Sequence, residues 1–436
     1  MTGTQLTDLG EIPETWEVIS IGSFAVAAQY GLSIRGEQSG AYPILRMNCQ
    51  VDGHVSLDNL QYVNLDEATF NNFRVNQGDI LFNRTNSYEL VGRSAIYGHD
   101  TAAVFASYLV RLSVDRSRVI PEYLNFLLNW PVAQRGLKKL ASRGVSQANI
   151  SASKLKEFKV HLPRPIEQVG ITNVLESLRN LIVGEDDLCC AALRVKRTLS
   201  RNLFTRGLRG EAQKETEIGL LPESWTLATL GAHFSVVSGG TPSRDNPEYW
   251  NDGTIPWVKT TEIDYGLIAH TEEHITLAGL AHSAAKLLPE GTLLMAMYGQ
   301  GVTRGRVAIL GIEAACNQAC AAMNPSDDAV DPRFLFQFLT YRYEAIRQMA
   351  HGGQQQNLNL EIVRDLPLAF PEDRSVQQEI IAILETIDRK IDLHKRKRAV
   401  LEDLFKALLH KLMIGEIRVA DLDLSALGET TLETVA

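Results

Sequence analysis

Amide, guanidinium and hydroxyl side chains are concentrated in one short polar segment that follows an apolar run. The segment "LFNRTNSYELVGR" contains Asn83, Arg84, Asn86 and Ser87. Arg can form two hydrogen bonds with guanine, and Asn can form two with adenine, so this set has the chemistry needed to contact base edges in a DNA groove. An ordinary hydrogen-bonded turn is the alternative interpretation of the same residues.

A matching segment, "MAMYGQGVTRGR", lies in the second half of the chain. It offers Tyr298, Gln300, Thr303 and Arg304 in place of the first set. Because the two sets differ, we expect the two segments to select different bases.

Further polar segments could contact phosphates or form structural turns. The loop "VVSGGTPSR" offers backbone amides and a cation, which suit a phosphate, although a plain Gly-rich loop is equally compatible with it. Lys138 and Lys139 are expected either near phosphates or on a solvated helix face. The remaining candidates are Arg143, Gln147 and Asn149 in "SRGVSQAN", the cations Arg244 and Lys259, and Gln355 and Asn357 in "HGGQQQNLN".

Residues for catalysis are not grouped in any familiar pattern. "GQGVTRG" fails the spacing of a dinucleotide-binding loop, and no phosphate-binding "GK[ST]" occurs. "NPEY" is faintly similar to the Asn-Pro-Pro-Tyr motif of adenine methyltransferases, but no glycine loop for a cofactor precedes it. We therefore expect no catalytic residue, metal site or cofactor on this chain.

The chain repeats itself at about half its length. "TDLGEIPETWEVISIG" begins at Thr7 and "TEIGLLPESWTLATLG" begins at Thr216, an offset of 209. Further matches keep the offset between 208 and 213, among them "GRSAI" with "GRVAI", "VIPEYLNFLLN" with "VDPRFLFQFLT", and "LESLRN" with "LETIDR". This is a tandem duplication of one long unit.

Each repeat is predicted to hold an α+β domain followed by one long helix. Strand-like runs such as "DILFNRT", "SYLVRLSV" and "TLLMAMY" alternate with helical stretches such as "PEYLNFLLN" and "PRFLFQFLTYRYEAIRQM". Prolines precede each long helix, and apolar residues then recur at a 3-4 spacing, which is typical of a coiled-coil seam. The predicted boundaries are 1–163, 164–210, 211–371, 372–418 and an acidic tail, 419–436.

The two long helices are expected to bury their apolar stripes against each other. A duplicated chain tends to fold with two-fold symmetry, and a two-fold axis across a helix pair makes the pair antiparallel. We predict two pseudo-symmetric α+β domains separated by an antiparallel coiled coil. In that register Glu185 should meet His394 or Lys397, where both stripes are interrupted.

Composition sets limits on the partners and the compartment. The net charge is −9, and the excess of acids lies in 211–371, with 19 acidic and 10 basic residues, and in the tail. A locally basic groove therefore remains compatible with the total. Five cysteines without metal-ligand spacing predict buried free thiols and a reducing cytoplasm. We see no secretory signal and no apolar run long enough to span a membrane.

Taken in order, these motifs resemble the specificity subunit of Type I restriction–modification enzymes. The resemblance depends on the paired "IPETW" and "LPESW" starts, "SGGTPSRDNPEYWNDGTIPWVKTTEI", "GDILFNRTNSYELVGRSAIY", and helices beginning "PRPIEQ" and "PEDRSVQQEI". It covers nearly the whole chain. It implies that each α+β domain is a target recognition domain that reads one half of a bipartite, asymmetric DNA sequence.

The resemblance also implies partners. The helices would set the unread spacer and dock two adenine methyltransferase subunits, and motor-nuclease subunits would join them. S-adenosylmethionine, ATP and Mg²⁺ would then belong to those partner subunits, and this chain would be a non-catalytic recognition subunit. The alternatives are a specificity subunit of a system whose methyltransferase and nuclease share one chain, a stand-alone DNA-binding regulator, and a pure scaffold.

Overall fold

Short runs of two to six residues form the strands in a computed structural model, which describes residues 3–299, 302–349 and 357–422. The chain divides into two compact units. The first unit comprises Met1–Glu185 and Arg396–Ala436, and the second unit comprises Asp186–Lys395. The division falls inside both long helices, so each unit contains one part of each helix.

The strands of the first unit are short and follow one another closely. They are β1 (Thr4–Thr7), β2 (Gly10–Pro13), β3 (Glu17–Ser20), β4 (Ala25–Tyr30), β5 (Tyr42–Leu45), β6 (Gln50–Val51), β7 (His54–Val55), β8 (Gln61–Val63), β9 (Ile80–Asn83), β10 (Thr85–Asn86), β11 (Ser94–Ile96), β12 (Val104–Phe105), β13 (Leu109–Val114), β14 (Ser142–Arg143), β15 (Ala148–Asn149) and β16 (Lys159–Leu162).

Four short helices complete the globular part of the first unit before the first long helix begins. They are α1 (Glu67–Phe73), α2 (Pro121–Asn129), α3 (Pro131–Lys139) and α4 (Ala152–Glu157), and the long helix is α5 (Pro165–Arg206). The predicted helix "PEYLNFLLN" is α2, and the predicted strands "DILFNRT" and "SYLVRLSV" contain β9 and β13, so these predictions are confirmed.

The second unit repeats this order of elements. Its strands are β17 (Gln213–Thr216), β18 (Gly219–Pro222), β19 (Thr226–Thr229), β20 (Phe234–Ser238), β21 (Ile255–Val258), β22 (Leu267–Ile268), β23 (Glu273–Ile275), β24 (Leu293–Ala296), β25 (Val307–Leu310), β26 (Ala315–Cys316), β27 (Cys320–Pro325) and β28 (Pro367–Phe370). Its helices are α6 (Leu230–His233), α7 (Leu277–Ala281), α8 (Pro332–Tyr341), α9 (Tyr343–Met349), α10 (Leu360–Arg364) and the long helix α11 (Arg374–Met413).

The main sheets of the two units share one topology. Over the described residues the order is β4-β13-β9-β11-β7-β6 in the first unit and β20-β27-β24-β25-β22 in the second. In both sheets the central strands are antiparallel, and a short strand joins the far side in parallel. Smaller sheets also correspond, with β12-β5-β8 matching β26-β21-β23. The duplication predicted from the sequence is therefore confirmed in the fold.

The two long helices run antiparallel. In the first unit, residues near the start of α5, such as Val174 and Leu178, share a hydrophobic cluster with Leu409 and Met413 near the end of α11. In the second unit, Phe204 near the end of α5 shares a cluster with residues near the start of α11. The predicted antiparallel coiled coil is confirmed.

The predicted polar layer of the coil is present in the first unit. The Nζ of Lys397 lies 3.7 Å from Oε1 of Glu185. The hypothesis that Glu185 meets a cation of the other helix is therefore confirmed for Lys397. In the second unit, Lys196 Nζ on α5 lies 2.6 Å from Oδ1 of Asp388 on α11, so each unit has an ion pair across the helices.

A buried glutamine ties each long helix to its α+β domain. Gln168 accepts a hydrogen bond from the Ile120 N–H at 2.8 Å and donates to the carbonyls of Arg118, at 3.0 Å, and Pro163, at 2.8 Å. Gln168 and its counterpart in the second unit, Gln377, each have an exposed fraction of 0%.

Gln377 makes the same three bonds in the second unit. It accepts from the Asp331 N–H at 2.9 Å and donates to the carbonyls of Ala329 and Pro371 at 2.8 and 2.9 Å. The bonds tie the first turns of α5 and α11 to the residues that precede α2 and α8. They fix the direction in which each helix leaves its domain.

The cysteines are free, as predicted, although Cys190 is exposed and only the other four are buried. No helix in the described ranges is long and apolar enough to cross a membrane. The observed helix bounds lie a few residues inside the predicted segments 164–210 and 372–418. The five predicted domain boundaries stay a prediction.

Candidate nucleic-acid interface

A small sheet in the first unit brings two of the sequence-predicted segments together. Strand β10 pairs with β15, placing Thr85 opposite Asn149, and β15 pairs with β14, placing Ala148 opposite Arg143. More than 50 residues separate β10 from β14 and β15 in the sequence. The predicted candidates between 83 and 87 therefore lie beside those between 143 and 149.

Arg84 is at the centre of this arrangement. Its guanidinium donates to the Ser107 carbonyl at 3.2 Å and to Oδ1 of Asn149 at 3.3 Å, and it lies 4.7 Å from the centre of the Tyr30 ring. Asn149 in turn donates to the Thr85 hydroxyl at 2.8 Å. The guanidinium is half-buried and held by these neighbours, so it is oriented before any ligand arrives.

The other candidates of this loop differ in exposure. Asn83 is buried, with an exposed fraction of 2%, and it offers little surface to a ligand. Asn86 and Ser87 are partly exposed. The side-chain Oδ1 of Asn86 accepts from the Ser87 N–H at 2.8 Å.

Strands β14 and β15 form a hairpin whose tip projects from the first unit. The Gly144 N–H donates to the Gln147 carbonyl at 2.7 Å and closes the turn. At the base of the hairpin, the Arg143 guanidinium stacks 3.8 Å from the centre of the Tyr88 ring. The predicted candidates Arg143 and Gln147 are exposed here.

Cations surround this hairpin. Lys138 donates to the Glu89 carbonyl at 2.9 Å, and Lys154 donates to the Leu140 carbonyl at 2.8 Å. Lys139, at the end of α3, is exposed. From residue 131 to residue 156 the sequence contains six Lys or Arg and no Asp or Glu, so this edge of the first unit is positively charged.

The loop between β24 and β25 occupies the matching place in the second unit. The Gly305 N–H donates to the Ala296 carbonyl, as the Gly92 N–H donates to the Asn83 carbonyl in the first unit. Both glycines have a positive φ, 91° for Gly92 and 85° for Gly305, a conformation that other residues adopt only with strain. The backbone of the two loops therefore begins and ends alike.

The side chains on the second loop are different. Tyr298 is 41% exposed, Thr303 is partly exposed, and Arg304 is buried. Candidates Gln300 and Gln355 lie outside the described residues, whereas Asn357 is described and exposed. The loop is thus a Tyr and Thr surface where the first unit presents Arg and Asn.

Arg244 and Lys259 lie together in the second unit, and both are already paired with carboxylates. Arg244 stacks 3.7 Å from the centre of the Trp250 ring and lies 2.5 Å from Glu273. Lys259 lies 2.6 Å from Glu272 and 3.1 Å from Glu273.

The pairing changes the titration of this cluster. Hydrogen bonds from Arg244 and then Lys259 lower the pKa of Glu273, and hydrogen bonds to Glu272 and Glu273 raise the pKa of Lys259. A phosphate approaching the two cations would compete with the two carboxylates.

Sequence reasoning missed several of these residues. Tyr88 and Val145 lie inside the candidate segments but were not singled out there. Lys154 of the first unit, and Glu272 and Glu273 of the second, carry no motif, and only the fold places them beside the candidates. Within the described ranges, no group of three or more His, Cys, Asp or Glu side chains could hold a metal ion.

Comparison with known proteins gives the family. Residues 13–185 and 222–403 match the family described as "Type I restriction modification DNA specificity domain". The matches cover more than half of the chain, and the chain belongs to this family. The two matched segments correspond to the two halves of the duplication.

Relatives match over almost their whole length. The chain is 26% identical over 419 residues to the type I restriction enzyme MjaX specificity subunit of Methanocaldococcus jannaschii, covering 95% of this chain and 96% of the relative. It is 22% identical to the MjaVIII specificity subunit of the same organism, covering 94% and 95%. The EcoKI specificity subunit of Escherichia coli is 24% identical over 46% of each chain.

A solved structure shares the fold. The S subunit of a Type I restriction–modification system from M. genitalium superposes with a TM-score of 0.61 at 17% identity, covering 91% of this chain and 96% of that chain. The resemblance inferred from the sequence motifs is therefore confirmed for family and for fold.

Proposed function

We propose that this chain selects the DNA site of a Type I restriction–modification complex, with each α+β domain reading one half of a bipartite target. The observation that carries the proposal is the contrast within one shared topology. The two units keep the same strand order and the same glycine-bounded loop, and they place different polar side chains on that loop. Two readers of this kind bind two different half-sites.

The charge distribution supports different contacts in the two halves. The first unit presents a positive edge around the hairpin of β14 and β15. The second unit presents Arg244 and Lys259, which are paired with Glu272 and Glu273. Phosphate contacts should therefore contribute more to the binding of the first half-site, since basic residues outnumber acidic ones at its hairpin, whereas Arg244 and Lys259 are each paired with a carboxylate.

The chemistry of modification and cleavage is assigned to partner subunits. Among the described residues, no group of three or more His, Cys, Asp or Glu side chains forms a metal-ligand cluster. S-adenosylmethionine, ATP and Mg²⁺ would be bound by methyltransferase and motor-nuclease subunits, and two methyltransferase subunits would dock on this chain. The chain itself acts as a non-catalytic subunit and binds double-stranded DNA.

Methylome sequencing of cells that express the complete system tests this function. A bipartite motif with two different halves and a fixed spacer is the expected result. A single contiguous motif would contradict it, and so would full methylation without this chain. Cells that lack only this chain are the control.

A further inference from the structure

One apolar side chain stands free at the tip of the hairpin formed by β14 and β15. Val145 has a relative exposure of 110%, above its value in an extended reference peptide, so no part of the first unit covers it. Its neighbours in the turn, Gly144, Ser146 and Gln147, are exposed as well. An apolar side chain stabilises a fold when folding removes it from water. A β-branched apolar side chain at such a tip stays in water and therefore adds no stability of this kind.

The base of the hairpin, by contrast, is firmly held on both strands. Ala148 is 1% exposed and pairs with Arg143, whose guanidinium stacks on the Tyr88 ring. Asn149 is tied to Arg84 and to Thr85. The tip is therefore presented in a defined direction from a fixed base, beside the residues predicted to contact bases.

The surroundings of the hairpin match the charge of a DNA backbone. Lys138, Lys139 and Lys154 belong to the positive edge between residues 131 and 156, and Lys154 donates to the Leu140 carbonyl and the Ser142 hydroxyl at the base of the hairpin. Cations beside the hairpin can contact phosphates and fix its depth and direction. The major groove, about 12 Å wide, admits a two-stranded β-ribbon.

Resting on the function proposed above, we propose that the hairpin Ser142–Asn149 enters the major groove of the first half-site, with Val145 packed against the 5-methyl group of a thymine. Thymine is the base that presents an apolar group in the major groove, and small apolar side chains are its natural contacts. Val145 is then a specificity-determining residue that selects an A·T pair, while Arg84 and the exposed polar residues contact the neighbouring pairs.

The test uses the complex assembled with its methyltransferase subunits, a library of duplexes randomised in both half-sites, and the variant Val145→Ala. Losing two methyl groups from an apolar contact corresponds to about a tenfold loss of affinity. We expect this loss at one A·T pair of the first half-site. Preferences in the second half-site and the salt dependence of binding should stay unchanged, because no charge is removed.

A second probe addresses the thymine directly. Replacing that thymine by uracil, which lacks one methyl group, should weaken wild-type binding about fourfold and should not weaken V145A further. The control variant is Val26→Ala, which truncates another exposed valine of the first unit, 74% exposed on β4, and should leave both profiles unchanged.

Several outcomes would overturn the assignment. An unchanged first half-site in V145A would exclude Val145 as a reader, and a loss at a G·C pair would exclude the thymine contact. Failure of V145A to assemble with the methyltransferase, with V26A assembling normally, would make the tip a protein contact. If the wild-type complex itself shows no base preference, the proposed function fails before the hairpin is tested.

Discussion

The two units hold their long helices by the same hydrogen bonds, and they present different side chains on their corresponding loops. Gln168 and Gln377 make the same three buried hydrogen bonds at the same place in each unit. The backbones of the loops that follow β9 and β24 begin and end alike, and most of their side chains differ. Positions that orient a helix are retained in the duplication, and positions that face a ligand are free to diverge.

A second pair of equivalent positions shows that charged residues away from the loops have also diverged. Arg179 on α5 and Asp388 on α11 occupy the same place in the repeat, with opposite charge. Arg179 contacts His54 and Glu176, whereas Asp388 accepts hydrogen bonds from Lys196 and Gln337. What the duplication keeps at this position is a charged side chain with an ion-pair partner, Glu176 on the same helix for Arg179 and Lys196 on the other long helix for Asp388, while the sign of the charge is exchanged.

The largest effect is expected from exchanging a whole domain. Replacing residues 1–163 by the corresponding domain of a homologous specificity subunit should change one half of the methylated motif completely and leave the other half and the spacer intact. Methylome sequencing measures both halves at once. A change in both halves would show that the two domains do not read independently.

Among the single substitutions proposed in this comparison, replacing the buried glutamine of either unit should lower the free energy of unfolding the most. Gln168→Leu leaves one N–H and two carbonyls buried without partners, at about 1–3 kcal/mol each, so we expect a loss of about 3–5 kcal/mol in the free energy of unfolding. Gln377→Leu should act alike in the second unit. Chemical denaturation followed by fluorescence measures both.

The matched control for this comparison is Gln38→Leu, since Gln38 is an exposed glutamine of the first unit. It should change stability by less than about 0.5 kcal/mol. Equal effects of Q38L and Q168L would contradict the role of the buried network. A large loss for Q168L with none for Q377L would show that the two units do not depend equally on it.

The aromatic cores of the two units predict a difference in acid sensitivity. His161 lies against Trp16 and Trp130 in the first unit, and the equivalent position of the second unit is Ala369. Burial lowers the pKa of His161 to about 4, and the nearby backbone of Met413 opposes this only in part. Among the described residues neither ring nitrogen has a hydrogen-bond partner of normal geometry.

The sign of the pH effect follows from this shift. In the unfolded chain a histidine has a pKa of about 6.5, so below that pH the unfolded chain binds a proton that the folded unit does not. The free energy of unfolding should therefore fall as the pH drops from 6.5 towards 4, by about 2–3 kcal/mol in total. Denaturation curves of His161→Phe across this range should be flatter.

Some pH dependence of the stability should remain in the His161→Phe variant. Burial also lowers the pKa of His54 to about 4, and the charge of Arg179 lowers it further. His270→Phe, which changes an exposed histidine, serves as the control and should leave the slope intact. An H161F slope equal to that of the wild type would mean that His161 is protonated in the folded unit.

Arg84 tests whether the reading loops differ in function as well as in sequence. Arg84→Ala should lower specific binding by about 1–3 kcal/mol, the range for a lost bidentate base contact. The equivalent residue of the second loop is Met297, which is buried, so no such contact is expected there. Binding of the assembled complex to specific and non-specific duplexes measures the effect.

The contacts of Arg84 with Ser107 and Asn149 offer a structural alternative for the same residue. Thermal unfolding of R84A separates the two roles. A lower melting temperature with an unchanged ratio of specific to non-specific binding would show that Arg84 is part of a turn. Arg35→Ala, on an exposed arginine of the first unit, should affect neither property.

The smallest effect is expected in the coil. Glu185 and Lys397 have side-chain exposures of 16% and 53%, so their coupling should be about 0.5–1 kcal/mol, as for other partly exposed pairs. A double-mutant cycle with Glu185→Gln and Lys397→Met measures it. Additive effects of the two changes would show that the pair does not help to fix the register.

Periodicity and repetition were sufficient to predict the architecture. Two long helices whose apolar residues recur every three to four positions are expected to bury those residues against each other. The repeat offset of 209 then predicts the two-fold symmetry and the residues of the other helix that Glu185 faces. The positions of β9, β13, α2 and α8 followed from alternating or 3.6-residue patterns. These patterns are local, so they can be recognised from the sequence alone.

The candidate interface could be predicted only in part. The loops at 83–87 and 143–149 were each visible as polar segments, but their contact depends on β10 and β15, two-residue strands with no pattern of their own. The carboxylates that pair with Arg244 and Lys259 lie on residues 272 and 273, far away in the sequence. Such contacts arise from tertiary packing, which a single sequence does not encode locally.

The first unit is assembled from both ends of the chain, and this has a consequence for synthesis on the ribosome. Domains usually complete their folding in the order in which they are made. Here the second unit has all of its residues once Lys395 has emerged, whereas the core of the first unit still lacks Leu409, Leu412 and Met413. The part of the protein that is translated first is thus the last to be complete, and it waits for nearly the entire chain with the α5 side of its core uncovered.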